Sequence, residues 1–98
     1  MIKLEKKESI YFLNLAANEN RWNTTFVREI AKALDEIEKD EGPGALITSS
    51  ENPKFFSNGL DLDWMQDPKS NPDGGDRDVF GKEFMHLMGR FITLPIPT

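Results

Sequence analysis

An α/β fold is predicted for this chain by three features: two apolar-rich runs near the start that read as a hairpin, a long amphipathic helix behind them, and a short apolar run directly after that helix. A buried strand entered from a helix is the mark of a strand-helix-strand crossover, whose two strands lie parallel in one sheet. With 98 residues in all, the chain is expected to form one domain over residues 1–98 around a single core.

The hairpin is expected from Met1 to Leu4 and from Ile10 to Ala16, with Glu5-Lys6-Lys7-Glu8-Ser9 as its polar turn. The second run, Ile10-Tyr11-Phe12-Leu13-Asn14-Leu15-Ala16, is apolar at both odd and even positions, so this strand is expected to be covered on both faces. After a polar stretch, Asn23 or Thr24 can cap a helix by accepting a hydrogen bond from an orphaned N–H. Phe26, Ile30, Leu34 and Ile37 then recur at helical spacing, with Arg28, Glu29, Lys32, Asp35, Glu36 and Lys39 on the opposite face. Gly42-Pro43-Gly44 stops that helix.

Ala45-Leu46-Ile47-Thr48 is the buried strand, and Ser49 to Lys54 is the turn leaving it. From Phe55 to Met65 the pattern is a short extended piece, a glycine and a helix start. A loop is expected over about residues 66–77, which are rich in Asp, Pro, Gly, Ser and Asn. A last helix is expected from about Asp78, carried by Phe80, Phe84, Leu87, Met88, Phe91 and Ile92 and ended by Pro95.

Composition excludes several function classes. Seventeen acidic against twelve basic residues give a net charge of -5, opposite to the footprint of a nucleic-acid binder. No apolar run is long enough for a membrane span or a secretion signal, so an intracellular, non-membrane protein is expected, cytoplasmic or in a peroxisomal or mitochondrial matrix. Cysteine is absent, and the single His86 cannot build a histidine metal site, so no metal is expected. Asn23-Thr24-Thr25 fits a glycosylation sequon but reads as a helix start. Asp61, Asp63 and Asp67 lack the glycine and terminal glutamate of a calcium loop, and Asp73-Gly74-Gly75-Asp76 reads as a turn without a phosphate-loop lysine. His86 receives no role.

The chemistry-bearing candidate is the junction from Phe55 to Leu62. On residue types it admits a structural account, with two core phenylalanines, a turn at Gly59 and a helix cap at Asp61. It also admits a functional one. Glycine permits close backbone approach, and the first N–H groups of a helix are unpaired and partially positive, as a developing oxyanion requires.

Phe56-Ser57-Asn58-Gly59-Leu60-Asp61-Leu62, placed after the buried strand and followed by Leu94-Pro95-Ile96-Pro97-Thr98, resembles the crotonase (enoyl-CoA hydratase/isomerase) family. Lys54 to Trp64 is most similar to the peroxisomal-type enoyl-CoA isomerases. The resemblance implies that residues 1–98 are the N-terminal portion of a crotonase domain: the first strand-helix units of an incomplete ClpP-like spiral. It implies that the Leu60 backbone N–H donates to the thioester oxygen of an acyl-CoA, stabilising an enolate, with Ser57, Asn58, Gly59, Leu60, Asp61 and Leu62 at the substrate. Arg21 and Trp22 lie where relatives contact the cofactor's phosphates, although Arg21 reads equally as a solvated charge and Trp22 as a packing residue.

Coenzyme A enters only as part of the substrate, and a trimer-type homo-oligomer is implied. In relatives a second N–H donor follows a Leu-Pro-x-Pro-Thr stretch, and a catalytic glutamate comes later still. Glu29, Glu36 and Glu38 are expected on an exposed helix face and Glu51 in a turn. The 98 residues alone are therefore expected to be inactive, with a non-catalytic oligomerisation or interaction module as the alternative.

Overall fold

The computed structural model describes residues 1–69 and 75–98, and the backbone alone at 75–76. Strands β1 (Ile2–Lys7) and β2 (Ile10–Leu15) pair antiparallel, and β3 (Ala45–Ser50) lies parallel to β2, in the order β1-β2-β3. Helix α1 (Thr24–Glu38) makes the crossover from β2 to β3. A five-residue helix α2 (Leu62–Gln66) and the long α3 (Gly75–Thr93) complete the chain.

Register decides which side chains meet. Ile2 pairs with Leu15 and Leu4 with Leu13, while Tyr11 pairs with Leu46 and Leu13 with Thr48, so one face collects the apolar set. Against it α1 buries Phe26, Val27, Ile30, Ala33, Leu34 and Ile37. Leu87 of α3, and Leu94 just beyond it, close the same core. Asn23 caps α1 as anticipated, its side chain accepting from the Phe26 N–H at 2.9 Å. Arg90 fastens α3 to α1, donating to the Ala31 carbonyl at 3.2 Å and pairing with Asp35 and Glu38 at 2.8 and 3.2 Å.

Several expectations are corrected. The hairpin turn is shorter than the polar run: Glu5, Lys6 and Lys7 belong to β1, and only Glu8, at φ 56°, and Ser9 turn the chain. Lys6 lies opposite Tyr11 and meets Asp40, which also accepts from the Tyr11 hydroxyl at 2.6 Å. Strand β2 is covered on one face only among the described residues; on the other, Phe12 and Asn14 border a shallow cleft with Lys3, Glu5, Lys7 and Ser49, and Ile10 and Ile47 are exposed. Helix α3 begins at Gly75 rather than about Asp78, and Ile92 is 85 % exposed rather than packed, because Leu87, Met88 and Phe91 occupy the inward stripe.

Of the loop expected over residues 66–77, Gln66 ends α2 and residues 75–77 are helical, while residues 70–74, including most of the stretch thought to be mobile, lie outside the described residues. Asp73 and Gly74 of the expected turn lie there too. Glu29 departs from its expected exposure. It is half-buried beside Ile2, Leu4 and Ala33, with Oε2 shielded and without a hydrogen-bond partner, whereas Glu36 and Glu38 are exposed.

Candidate functional site

The junction from Phe55 to Leu62 is held against the segment between β2 and α1. Asn20 is the centre of that attachment and is fully buried at φ 53°. Asparagine is among the few non-glycine residues that adopt positive φ at modest cost. Its Oδ1 accepts from the Ala17 N–H at 2.9 Å, and its Nδ2 donates to Ser50 Oγ and to the Phe56 carbonyl, both at 2.9 Å. Its own carbonyl accepts from the Ser57 hydroxyl at 2.7 Å. The Asn58 N–H donates to the Glu19 carbonyl at 2.8 Å, and the Asn58 amide to the Glu19 carboxylate.

Two residues further on, the strand segment forms a single parallel bridge with Trp22. The Trp22 N–H donates to the Gly59 carbonyl at 2.8 Å, and the Asp61 N–H donates to the Trp22 carbonyl at 2.9 Å. In a parallel bridge the paired residue's own N–H and C=O point to the other side. Leu60 is that residue, and its N–H has no acceptor among the described residues. Gly59 sits at φ +82°, which turns the chain into this bridge at a dihedral that favours glycine.

Asp61 fixes the far side. One carboxylate oxygen accepts from the Trp64 N–H at 3.1 Å and caps α2, while the other accepts from Asn23 Nδ2 at 3.0 Å. Asn23 caps α1 with its remaining oxygen, so two helix caps are joined through one side-chain pair. Leu60 is thereby clamped between an anchored extended segment and an anchored helix.

The structure brings Ser57, Asn58, Gly59, Leu60, Asp61 and Leu62 together as one segment and shows what each side chain already does. Ser57 and Asp61 are engaged within the fold, Asn58 holds Glu19, and Leu62 is exposed. The Leu60 N–H is among the backbone groups of the segment that stay without a partner within the described residues. Arg21 lies against the Glu19 carboxylate at 3.5 Å. Trp22 packs edge-on to Phe26 and Phe84, with centroids 5.0 and 5.1 Å apart, in an aromatic row continued by Phe80 and Trp64. Phe55 and Phe56 are 38 and 56 % exposed, so the structural account that put them in the core fails on both. Phe56 and Trp22 instead border an apolar cavity of about 390 Å³ with Leu13, Leu15, Met88 and Phe91.

A groove of about 500 Å³ between α1 and α3, lined by Val27, Ala31, Val79, His86 and Leu87, does not reach the junction. Among the described residues no cluster of His, Asp or Glu could hold a metal, and no helix is long and apolar enough to cross a membrane. Sequence reasoning did not single out Asn20; its only signal was an asparagine-rich stretch between a strand and a helix cap.

Residues 5–98 match the enoyl-CoA hydratase/isomerase family. The chain is 34 % identical to the Arabidopsis thaliana peroxisomal enoyl-CoA delta isomerase 1 and 29 % identical to the peroxisomal enoyl-CoA delta isomerase 2 of the same plant. All of this chain is covered in both, against 40 and 42 % of those proteins, so it spans about two-fifths of their length. Among solved structures it is similar to an enoyl-CoA hydratase from Bacillus halodurans, with TM-score 0.82, 14 % identity, and coverage of 97 % of this chain and 39 % of the other. An enoyl-CoA hydratase/isomerase from Xanthobacter autotrophicus Py2 gives TM-score 0.78 at 25 % identity, over 99 % of this chain and 36 % of the other.

Proposed function

Because the chain belongs to the enoyl-CoA hydratase/isomerase family, we propose that its Leu60 N–H is one donor of an oxyanion hole that binds the thioester carbonyl of an acyl-CoA. The observation that carries this reading is the orientation of Leu60. Its neighbours' backbone groups are used by Trp22, its own N–H is unspent, and both flanks are fixed before any ligand arrives.

A preorganised donor stabilises charge as it develops without having to be reorganised during the reaction. When a proton leaves the carbon next to the thioester carbonyl, the C–H electron pair becomes part of a new C=C bond and the carbonyl pair moves onto oxygen. The Leu60 N–H faces that oxygen. Reprotonation at a different carbon moves a double bond, which is isomerase chemistry; addition of water to the conjugated double bond is hydratase chemistry. The names of the plant relatives support the first.

In this reading the second donor and the proton-transferring carboxylate come from outside these 98 residues. Glu19 is occupied by Asn58 and Arg21, and Asp61 by the α2 cap and the Asn23 amide. Loss of one oxyanion donor costs about 100- to 1,000-fold, and loss of an acid-base group about as much. The 98 residues by themselves should bind without turnover.

Calorimetric titration of the purified chain tests the binding half. Butyryl-CoA should bind more tightly than free coenzyme A, and equal affinities would count against the reading. A second reading, an interaction module, is favoured by the exposed Ile10, Ile47, Phe55, Phe56 and Leu62. It agrees with a homo-oligomeric assembly, and sedimentation would report it as a mass above that of the monomer.

A further inference from the structure

We infer that Asn20 is a positioning residue for the Leu60 donor. This rests on the reading of Leu60 given above and deepens it. Asn20 is the only described side chain whose hydrogen bonds join the end of β2, the end of β3 and the segment that carries Leu60. Its carbonyl takes a fourth bond, from Ser57.

The geometry sets the direction of the effect. Phe56 and Ser57 are the two residues of this segment that Asn20 holds, and they lie four and three positions before Leu60. The next fixed point is the Gly59 carbonyl on Trp22. Between the two anchors lie the Asn58 contact with Glu19, a 3.3 Å bond from the Gly59 N–H to Ser57 Oγ and the turn at Gly59, so the pitch of the segment entering the bridge is set from Asn20. No Asn20 atom belongs to the Leu60 peptide, so the residue acts through position rather than contact. Because Asn20 is fully buried, its two N–H bonds cannot be replaced by bulk water when they are removed.

Asn20→Asp keeps the size and the Oδ1 acceptor for Ala17 but removes both donors. Asn20→Gly tolerates the positive φ, removes the side-chain bonds without burying a charge, and decides the question if the first variant does not fold. Each is titrated by amide NMR with butyryl-CoA and with S-butyl-CoA, the thioether that lacks the carbonyl, alongside circular dichroism.

For the wild-type chain, the carbonyl should give about fivefold tighter binding of the thioester, the value of one hydrogen bond, and the Leu60 amide should shift only with the thioester. In folded variants the preference should fall towards unity while S-butyl-CoA affinity is retained. Folded variants that keep both the preference and the Leu60 shift overturn the role of Asn20. A wild-type chain without preference overturns the reading of Leu60, and the inference with it.

Discussion

Replacing Gly59 by alanine isolates a single physical term. A Cβ built at Gly59 meets no atom within 4 Å, so the substitution creates no clash and its cost is conformational. At φ +82° an L-residue is strained by about 1–2 kcal/mol. Alanine also restricts the unfolded chain, which returns about 0.4–1 kcal/mol. The net expectation is a loss of about 1 kcal/mol, or roughly 4–8 °C in Tm for a domain of this size.

Gly81 supplies the control. It too has no atom within 4 Å of an added Cβ, but it lies inside α3, where alanine is better than glycine by about 0.5–1 kcal/mol. The same chemical change should therefore destabilise at residue 59 and stabilise at residue 81. Urea unfolding followed by circular dichroism reads both. Equal signs at the two positions would refute the assignment of the Gly59 cost to its dihedral, and a loss above about 3 kcal/mol at Gly59 would exceed the strain expected of one residue.

Other expectations follow from the same contacts. Phe26→Ala, at the fully buried centre of the core, should cost about 3–5 kcal/mol and leave the fold marginal in denaturant titration. Asn23→Ala removes the α1 cap and the bridge to Asp61, and should cost about 1 kcal/mol by the same assay. Lys6, then Tyr11 and the Gly42 N–H, hold the Asp40 carboxyl well below the usual carboxylate range. A depressed folded pKa stabilises the fold above the unfolded value and loses that contribution as pH falls through the folded one. Acid titration of Asp40→Asn should thus show a shallower loss of stability below pH 3.8 than the wild-type chain.

The crossover was legible in the sequence because it depends on periodicity: Phe26, Ile30, Leu34 and Ile37 can share a face only on a helix, and the apolar run Ala45 to Thr48 behind it reads as a strand, although only Leu46 of it is buried and the strand runs on to Ser50. The hairpin turn was misjudged because Glu5 and Lys7 are polar on the open face of the sheet, while Lys6, on the face of Ile2 and Leu4, reaches Asp40, so polarity there does not mark a turn. Phe12 and Ile47 look like core in a linear chain, yet register puts both on the face opposite α1, and no local pattern distinguishes a covered sheet face from an open one. At the site, the motif from Phe56 to Leu62 could be found from its residue types. The work of Asn20 could not, since its partners at Ala17, Ser50 and Phe56 are brought together only by the packed sheet.

The claim that the Leu60 N–H polarises a thioester carbonyl is tested most directly by infrared difference spectroscopy of the chain with butyryl-CoA isotope-labelled at that carbonyl. A donor hydrogen bond lengthens the C=O bond, so the bound carbonyl band should move to lower frequency than in free solution, and Gly59→Ala should reduce the displacement. A bound thioester whose carbonyl band coincides with that of the free ligand would contradict the account.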